Sequence, residues 1–374
     1  MPQKEIIFRN AQAVEEHLRQ TGSLAYCTLQ GIDFTNAKLN LELVHLEQTS
    51  FLGCTLPPSH AARLQERGAV IYPIQPGLPY NPFRNRLYTW QELSKPVSAE
   101  LTVDWIIYQH FYQSKNRTPV LEALSQRIHD HSIDVALKEY LGVDEDGMTA
   151  QRGVGFMGGH STRRDDPNFA RSVQTAKLLT EAGYLVISGG GPGIMEAANL
   201  GAYLAGQSDE LVQKVLDRLK EVPHYKNVGY VEAAEEVLAW VPNGGESIAI
   251  PTWFYGHEPS NLFASGIAKY FSNSIREDNL LALSLHGIVF APGSAGTTQE
   301  IFQDATQNHY GTFNYYSPMV FLGTERYTQE TKIYPLLQSL AKGRDYAPLL
   351  HLTNEPKEVV RWLQNHPPIR KEDD

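Results

Sequence analysis

The stretch YLVISGGGPGIMEAANLGA, Tyr184 to Ala202, gives the clearest indication of the fold class. Its first part is a short apolar run, its middle is a turn of four glycines and one proline, and its last part has the apolar spacing of a helix. A short apolar run without polar alternation is typical of a strand buried on both faces of a parallel sheet. The stretch therefore predicts one strand, turn and helix unit of an α/β protein.

Similar apolar runs recur from residue 153 onward, namely GVGFMG, SIAIP, GIVFAP and MVFLG. The segments with helical periodicity are FARSVQTAKLLTEAG, IMEAANLGAYLAG, a part of SDELVQKVLDRLKEV, LFASGIAKYFSNSIREDNLLALS, TTQEIFQDATQN, YPLLQSLAKG and PKEVVRWLQNH. Alternating buried strands and helices predict an α/β fold with a doubly wound, Rossmann-like parallel sheet. Ligands of such sheets bind beyond the carboxyl ends of the strands.

The length of 374 residues is ample for two domains. We place a smaller N-terminal β-rich domain at 1–95, a helical connector at 96–150 and the Rossmann-like nucleotide-binding domain at 151–374. The connector is predicted to be helical over 97–141, and the main boundary lies in the acidic, glycine-containing stretch at 142–153.

Residues 27–58 can be divided into five-residue units. The central residues of these units are Leu29, Phe34, Leu39, Leu46, Phe51 and Leu56. The pattern resembles that of the pentapeptide-repeat family, whose chains coil into a square β-solenoid with the central residue pointing inward. The run is short and slips by two residues after Leu39. An irregular, small β-rich layer is therefore an equally good interpretation.

The net charge of −10 argues against nucleic acid as a partner, because binding to a polyanion is driven by Lys and Arg. The amino terminus lacks an apolar signal segment, and no window approaches a membrane helix, so we expect a cytoplasmic protein without membrane contact. Cys27 and Cys54 are predicted to be buried thiols. We expect His129 and His131 to be solvated side chains rather than metal ligands, and we expect no metal site.

Three of the predicted strands end in turns of small residues that lead into helices. Exposed backbone N–H groups and the positive end of a helix dipole at such turns can receive a phosphate. The candidate ligand-binding residues in and beside these turns are Gly158, Gly159, Ser161, Gly189, Gly190, Gly191, Gly193, Met195, Glu196, Pro292, Gly293, Ser294, Ala295, Gly296, Thr297 and Thr298.

Several common motifs are absent from the sequence. The usual dinucleotide fingerprint fits poorly, because the glycines follow the second strand and no ribose-binding acid closes a third. There is no Gly-Lys-Ser/Thr of a nucleoside triphosphate loop, no nucleophile elbow and no His-Glu-x-x-His zinc helix. None of the three turns contains a lysine for pyridoxal phosphate, which removes the physical basis for amino-acid decarboxylation.

The pair GGGPGIMEAANLGA at 189–202 and PGSAGTTQE at 292–300, with an arginine between them in SIREDN, resembles the motifs of the Lonely guy (LOG) family. Members of that family are often mislabelled lysine decarboxylases. The resemblance covers roughly residues 150–365. It implies hydrolysis of the N-glycosidic bond of a nucleoside 5′-monophosphate such as AMP, which gives a free base and ribose 5-phosphate. It also implies a homodimer or higher assembly and no cofactor.

The resemblance further implies roles for particular residues. Glu300 and Arg276 would be the catalytic pair, with Glu300 on the first helical turn beside the ribose and Arg276 fixing both the substrate and Glu300. A carboxylate beside C1′ favours the oxocarbenium-like state through which glycosidic bonds break. Without the resemblance, Glu300 and Glu196 would be read as charges that compensate a helix dipole, and Arg276 as a partner of Glu277 in a solvated ion pair.

Two departures from the family pattern leave a second hypothesis open. Ser294 stands where the family has glycine, and Glu277 stands where a lysine commonly follows the arginine. The alternative is a nucleotide-sensing module that has kept the phosphate cradle and lost the chemistry. Related folds also serve as a molybdenum-cofactor carrier and in a DNA-processing family. Trp253, Phe254 and Tyr255 either stack on a base or pack in the core.

Overall fold

The computed structural model describes residues 5–35, 44–98 and 101–372. The chain divides into two compact units, one of Met1–Arg86 with Tyr112–Ala136, and the other of Leu87–Phe111 with Leu137–Asp374. The division at residues 95 and 150 that the sequence suggests stays a prediction.

The first 141 residues contain four short strands and five helices within the described ranges. In chain order they are β1 (Ile6–Phe8), α1 (Ala11–Thr21), β2 (Cys27–Gln30), β3 (Ser50–Leu52), α2 (Pro58–Glu66), β4 (Val70–Tyr72), α3 (Trp90–Leu93), α4 (Val103–Ser114) and α5 (Val120–Leu141). The strands form one parallel sheet in the order β1-β2-β3-β4. The segment 97–141, predicted to be helical, contains α4 and α5, with a break between them where Pro119 precedes the second helix.

The pentad centres that the structure describes lie at or near the core of the first unit. Leu29, Phe34, Leu46 and Phe51 are buried, and Leu56 packs against the same cluster. Leu39 lies outside the described residues. Leu29 pairs with Phe51, and the isolated bridges Ser23–His45 and Asp33–Thr55 have the same spacing of 22 positions. A regular parallel repeat of this kind stacks like side chains over one another.

His129, in α5, is fully buried, whereas His131 is exposed. The expectation that both are solvated is therefore wrong for His129. Its Nδ1 lies 3.2 Å from Asp130, and its ring meets the edge of Tyr80. Burial lowers the pKa of His129, and Asp130 opposes that shift. Cys27 and Cys54 are both buried free thiols, as predicted.

The second unit continues the chain with a larger set of elements. They are β5 (Gly153–Met157), α6 (Pro167–Glu181), β6 (Leu185–Ser188), α7 (Ile194–Tyr203), α8 (Asp209–Lys220), α9 (Tyr230–Trp240), β7 (Ser247–Ala249), β8 (Gly266–Ile267), α10 (Asn273–Ala282), β9 (Ile288–Phe290), α11 (Ala295–Tyr310), β10 (Tyr315–Tyr316), β11 (Met319–Leu322), α12 (Ile333–Ala341), β12 (Leu350–Thr353), α13 (Pro356–Asn365) and β13 (Ile369–Arg370).

Seven of these strands form a parallel sheet in the order β12-β11-β9-β5-β6-β7-β8, and β10 pairs with β13 in an antiparallel ribbon. The order runs outward in both directions from the neighbours β5 and β9, which is the topology of a doubly wound sheet. The predicted fold class is confirmed. The crevice at the carboxyl ends of β5 and β9 is the place where such a sheet binds its ligand.

Helices cover both faces of this sheet. Val154, Val186 and Val289 lie in one buried cluster with side chains of α6, α7 and α13. The next residue of β9, Phe290, points to the opposite face, where it stacks on Phe321 at 5.3 Å between ring centroids. Tyr334 of α12 meets the same ring of Phe321. Strands buried on both faces explain the continuous apolar runs in the sequence.

The long helix predicted over 262–284 is wrong in its first half, because only α10 is helical. Residues 266–267 form the edge strand β8, which pairs with β7. Nearly every residue from 261 to 271 is buried, and a chain buried on all sides shows no helical period. Helix α9 and strand β12 were not predicted from the sequence. In the described part of the chain, no helix combines the length and the apolar composition needed to cross a bilayer.

We predict that Gly201→Ala destabilises the second unit by about 1–3 kcal/mol, because a β-carbon there would overlap the carbonyl oxygen of Val173 where α7 crosses α6. Gly296→Ala is the matched control, since a β-carbon in this helical position meets open space. Thermal and urea unfolding of both variants measure the effect. Equal stabilities of the two variants would contradict this account of the contact.

Candidate functional site

Three loops meet at the carboxyl ends of β5, β6 and β9. The amide of Gly159, after β5, donates to the carbonyl of Pro292, after β9, at 3.1 Å. The amide of Ile194, at the start of α7, donates to the carbonyl of Gly159 at 3.1 Å. The loop after β5 is therefore bonded to both of its neighbours, and the three turns singled out from the sequence come together in one place.

Glycine is required where these backbones approach most closely. Gly193 has φ of +72°, and a β-carbon there would overlap the carbonyl oxygen of Gly159. A β-carbon on Gly293 would overlap the hydroxyl of Thr297 and lie 2.9 Å from the amide nitrogen of Gly159. These two glycines act inside the loop junction, because a side chain at either position would separate the loops.

The N-terminus of α11 is open to solvent. Ser294, at the N-cap, makes no side-chain capping bond, and Ser294, Ala295 and Gly296 are exposed. The first amides of a helix have no partner within it, so this end can receive an anion. Ser294 has φ of −111°, a value that any side chain adopts, so the serine in place of the family glycine causes no backbone strain.

The helix begins at Ala295, two residues before the predicted start. Glu300 consequently lies on the second turn of α11 and not on the first. The exposed first turn and the buried Glu300 are thus separated by about one helical turn, so the open end of α11 and the carboxyl lie at different depths.

These loops line a cleft of about 630 Å³. The predicted site residues that line it are Arg276, Glu300, Gly158, Gly159, Gly189, Gly190, Met195, Ser294, Ala295, Gly296 and Thr297. The predicted residues that do not line it are Ser161, Gly191, Gly193, Glu196, Pro292, Gly293 and Thr298. Ligand contacts for either set stay a prediction.

Glu196 is held inside the protein. Its two carboxylate oxygens accept hydrogen bonds from Arg164, at 2.5 and 3.0 Å, and one of them also accepts from the Tyr230 hydroxyl at 2.5 Å. The Arg164 guanidinium lies over the Tyr230 ring, 3.4 Å from its centroid. This buried group ties the loop after β5 to α7 and α9, which gives Glu196 a structural function.

Arg276, on α10, is buried at the bottom of the cleft. Its Nε donates to the carbonyl of Ile250 at 2.7 Å, and its Nη2 donates to the carbonyl of Gly189 at 3.3 Å. Its Nη1 lies 2.7 Å from Glu277 and 3.6 Å from Glu300. The solvated ion pair considered for Arg276 is not what the structure has, because the three side chains are all at least nine-tenths buried.

Glu300 is forced toward its protonated form. Burial raises its pKa, Arg276 opposes that shift, and the nearby Glu277 carboxylate adds to it, so that the pKa is about 8. Glu277 keeps one carboxylate oxygen, Oε2, that is buried without a hydrogen-bond partner in the described chain. One cation therefore lies beside two buried carboxyl groups, and it is unfavourable for both of them to be ionised.

Polar side chains between Pro251 and Asn261, together with Lys269, line the cleft as well. From the sequence, only the aromatic residues of the segment, Trp253, Phe254 and Tyr255, were candidates for ligand contact. Trp253 is completely buried and packs against Tyr88 and Phe271, so it is a core residue. Tyr255 is 70% exposed and lines the cleft, which leaves base stacking by this ring as a prediction.

Asp104 of α4 organises this segment. Its carboxylate accepts from the Trp253 indole at 2.8 Å and from Lys269 at 2.8 and 2.9 Å, and it lies 3.1 Å from Nε2 of His257. Nothing in the sequence signals this group, because Asp104 is about 150 positions away from its partners. Within the described ranges, no group of three or more His, Cys, Asp or Glu side chains has the arrangement of a metal site.

Comparison with known proteins gives structural matches only. No family model and no curated protein matches the chain. Among solved structures, the chain is similar to the molybdenum cofactor carrier protein from Chlamydomonas reinhardtii, with 15% identity over 57% of this chain and 97% of that one and a TM-score of 0.36. It is also similar to the molybdenum cofactor binding protein from the phototrophic bacterium Rippkaea orientalis, with 14% identity, coverage of 57% and 94% and a TM-score of 0.35. A likeness this distant does not identify a ligand.

We predict that Glu300→Gln raises the free energy of unfolding relative to the wild type, and that this difference grows as the pH rises. Below the ordinary carboxyl pKa, the side chain is protonated in both states and the substitution changes little. Between that value and a folded-state pKa of about 8, the unfolded chain loses the proton and the folded chain keeps it, so wild-type stability falls with pH. Glutamine removes this loss, which is on the order of a few kcal/mol.

Urea unfolding at pH 5, 7 and 9 measures the difference between the variant and the wild type. Glu232→Gln, at an exposed position of α9, is the control for the loss of a carboxyl group. A stability difference that is the same at pH 5 and pH 9 would show that the Glu300 carboxyl is not perturbed by its site.

Proposed function

We propose that this protein hydrolyses the N-glycosidic bond of a nucleoside 5′-monophosphate, with AMP as the representative substrate. The observation that carries the proposal is that an open helix N-terminus and a buried glutamate–arginine pair share one cleft. The first can hold a phosphate and the second can act on the sugar attached to it. This is also the reaction that the resemblance to the Lonely guy family implies.

The 5′-phosphate would bind at the first turn of α11. The backbone there is exposed from Ser294 to Gly296, and no side chain caps the helix. Thr297 and the loop at Gly158 and Gly159 line the same part of the cleft. Free amides, a hydroxyl and a helix dipole bind a dianion without a lysine.

Glu300 would act beside C1′ of the ribose. When the bond from C1′ to the base nitrogen breaks, positive charge develops on the sugar, and an ionised carboxylate stabilises it. The same carboxylate can accept a proton from the water whose oxygen bonds to C1′. Arg276, fixed by the carbonyls of Ile250 and Gly189, would hold Glu300 in place. No metal or redox group takes part in these steps.

A second candidate function is binding of the intact nucleotide without turnover. The observation in its favour is the competition for Arg276, whose Nη1 is closer to Glu277, at 2.7 Å, than to Glu300, at 3.6 Å. A glutamate that shares its cation and stays protonated is a weaker catalyst. Such a protein would sense a nucleotide.

We predict that the wild-type protein releases free base and ribose 5-phosphate from at least one of AMP, GMP, IMP, CMP and UMP. Glu300→Gln should lower kcat by about a hundredfold or more, since it removes the charge that stabilises the transition state. Chromatography of the products measures both rates, and Glu232→Gln is the control. Circular dichroism checks that the variant is folded.

Calorimetry separates the two candidates. Nucleotide binding with no base release at high protein concentration would overturn the hydrolase and favour the sensor. Neither binding nor turnover with any of the five nucleotides would overturn both. A homodimer and a cytoplasmic location remain part of this proposal and are not needed for its chemistry.

A further inference from the structure

One side chain in the cleft has the features of an acid and has no part in the chemistry above. His257 lines the cleft, and its side chain is about 24% exposed. Its ring meets the edge of Trp105 at 4.8 Å and lies 5.6 Å from Tyr108. The ring is therefore held in one orientation, with one side inside the protein and one side toward the cleft.

The inner nitrogen of His257 faces a carboxylate. Nε2 is buried and lies 3.1 Å from Asp104 Oδ2, a close ion-pair contact without the alignment of a good hydrogen bond. Two acceptors at this distance would repel each other, so Nε2 carries a proton. The other nitrogen, Nδ1, has no hydrogen-bond partner among the residues that the structure describes.

Asp104 keeps its charge although it is buried. Burial raises its pKa, but Lys269 and His257 outweigh that effect and hold the pKa at about 2. The carboxylate is fixed from several sides by Trp253 and Lys269. A fixed carboxylate next to an imidazole orients the ring, as in other carboxylate–histidine pairs.

The proposed reaction needs an acid at the base. A nucleobase leaves poorly as an anion. General acid catalysis of such a step commonly raises the rate by about 10²–10⁴-fold. Glu300 and Arg276 are assigned to the sugar. His160 also lines the cleft, but it follows Gly159 in the loop assigned to the phosphate. Lys269 already donates to both oxygens of Asp104.

We propose that His257, oriented by Asp104, is the general acid that protonates the leaving base, an inference that rests on the proposed function. The bond between C1′ and the base nitrogen breaks, and its electron pair stays on the base. The imidazolium gives its Nδ1 proton to the base, while water bonds to C1′ and gives a proton to Glu300. Glu300 then releases its proton to solvent, and His257 takes up a proton from solvent. In this scheme His257 is a catalytic residue and Asp104 is a positioning residue.

The test compares two leaving groups in wild type and His257→Gln. One substrate is the best of AMP, GMP, IMP, CMP and UMP, and the other is 4-nitrophenyl β-D-ribofuranoside 5-phosphate, whose nitrophenolate leaves without a proton. We expect kcat for the nucleotide to fall about a hundredfold with little change in KM, and kcat for the nitrophenyl substrate to stay within about threefold. Asp104→Asn should show the same contrast with a smaller loss. His309→Gln, in the last turn of α11, is the control.

Each outcome decides the inference. Equal losses on both substrates would mean that His257 only supports the structure, and a change confined to KM would mean that it only binds the base; either result overturns the acid. Thermal melting would show whether Asp104→Asn unfolds. In that case the comparison of kcat on the two substrates between the wild type and His257→Gln still tests the inference. Hydrolysis by the wild type with no effect of His257→Gln overturns this inference and leaves the proposed function intact. No hydrolysis of either substrate by the wild type overturns both.

Discussion

The site depends on the contacts of one buried group, the guanidinium of Arg276. It bonds to backbone carbonyls after β6 and β7 and lies between two carboxyl groups, Glu277 and Glu300. Taking a cation out of water is costly unless its donors are satisfied, and here the ends of two strands satisfy them. The sheet therefore fixes the arginine, and the arginine fixes the position of the negative charge.

The loop junction imposes a second constraint. The backbone of the loop after β5 is hydrogen-bonded to both neighbouring loops, which is possible only because Gly193 and Gly293 lack side chains. Gly193 and Gly293 allow the loops to meet and do not line the cleft, whereas Gly158 lines the cleft and also lies against Ile194 at the start of α7. A glycine-rich motif therefore combines two requirements, close packing at the junction and an open surface for a ligand, and its sequence alone does not separate them.

The sequence predicted the second unit well because its strands are buried on both faces. Each of the five apolar runs became a strand of the sheet, and the motifs that follow three of them came together at one edge. It failed where burial is uniform, as at 262–271, because a continuously buried segment has no period. It did not indicate the buried hydrogen bonds of Glu196, whose partners Arg164 and Tyr230 come from distant parts of the chain. Asp104 shows the same limit, since local patterns hold no information on pairs formed only by the fold.

Charge within the cleft connects the structure to the reaction that we propose. α11 places two buried carboxyl groups one turn apart, Glu300 and Asp304, and burial raises the pKa of both. Asp304 Oδ2 has no hydrogen-bond partner in the described chain, which fits a protonated carboxyl. One guanidinium beside several buried carboxyl groups cannot keep all of them ionised in a low dielectric, and in the proposed reaction a bound phosphate dianion would add to the excess of negative charge. The species that relieves this excess is a cation between the acids and the phosphate, and an oxocarbenium-like sugar is such a cation. In the proposed reaction, the same burial that makes Glu300 hard to ionise would make its carboxylate most effective once positive charge develops on the ribose.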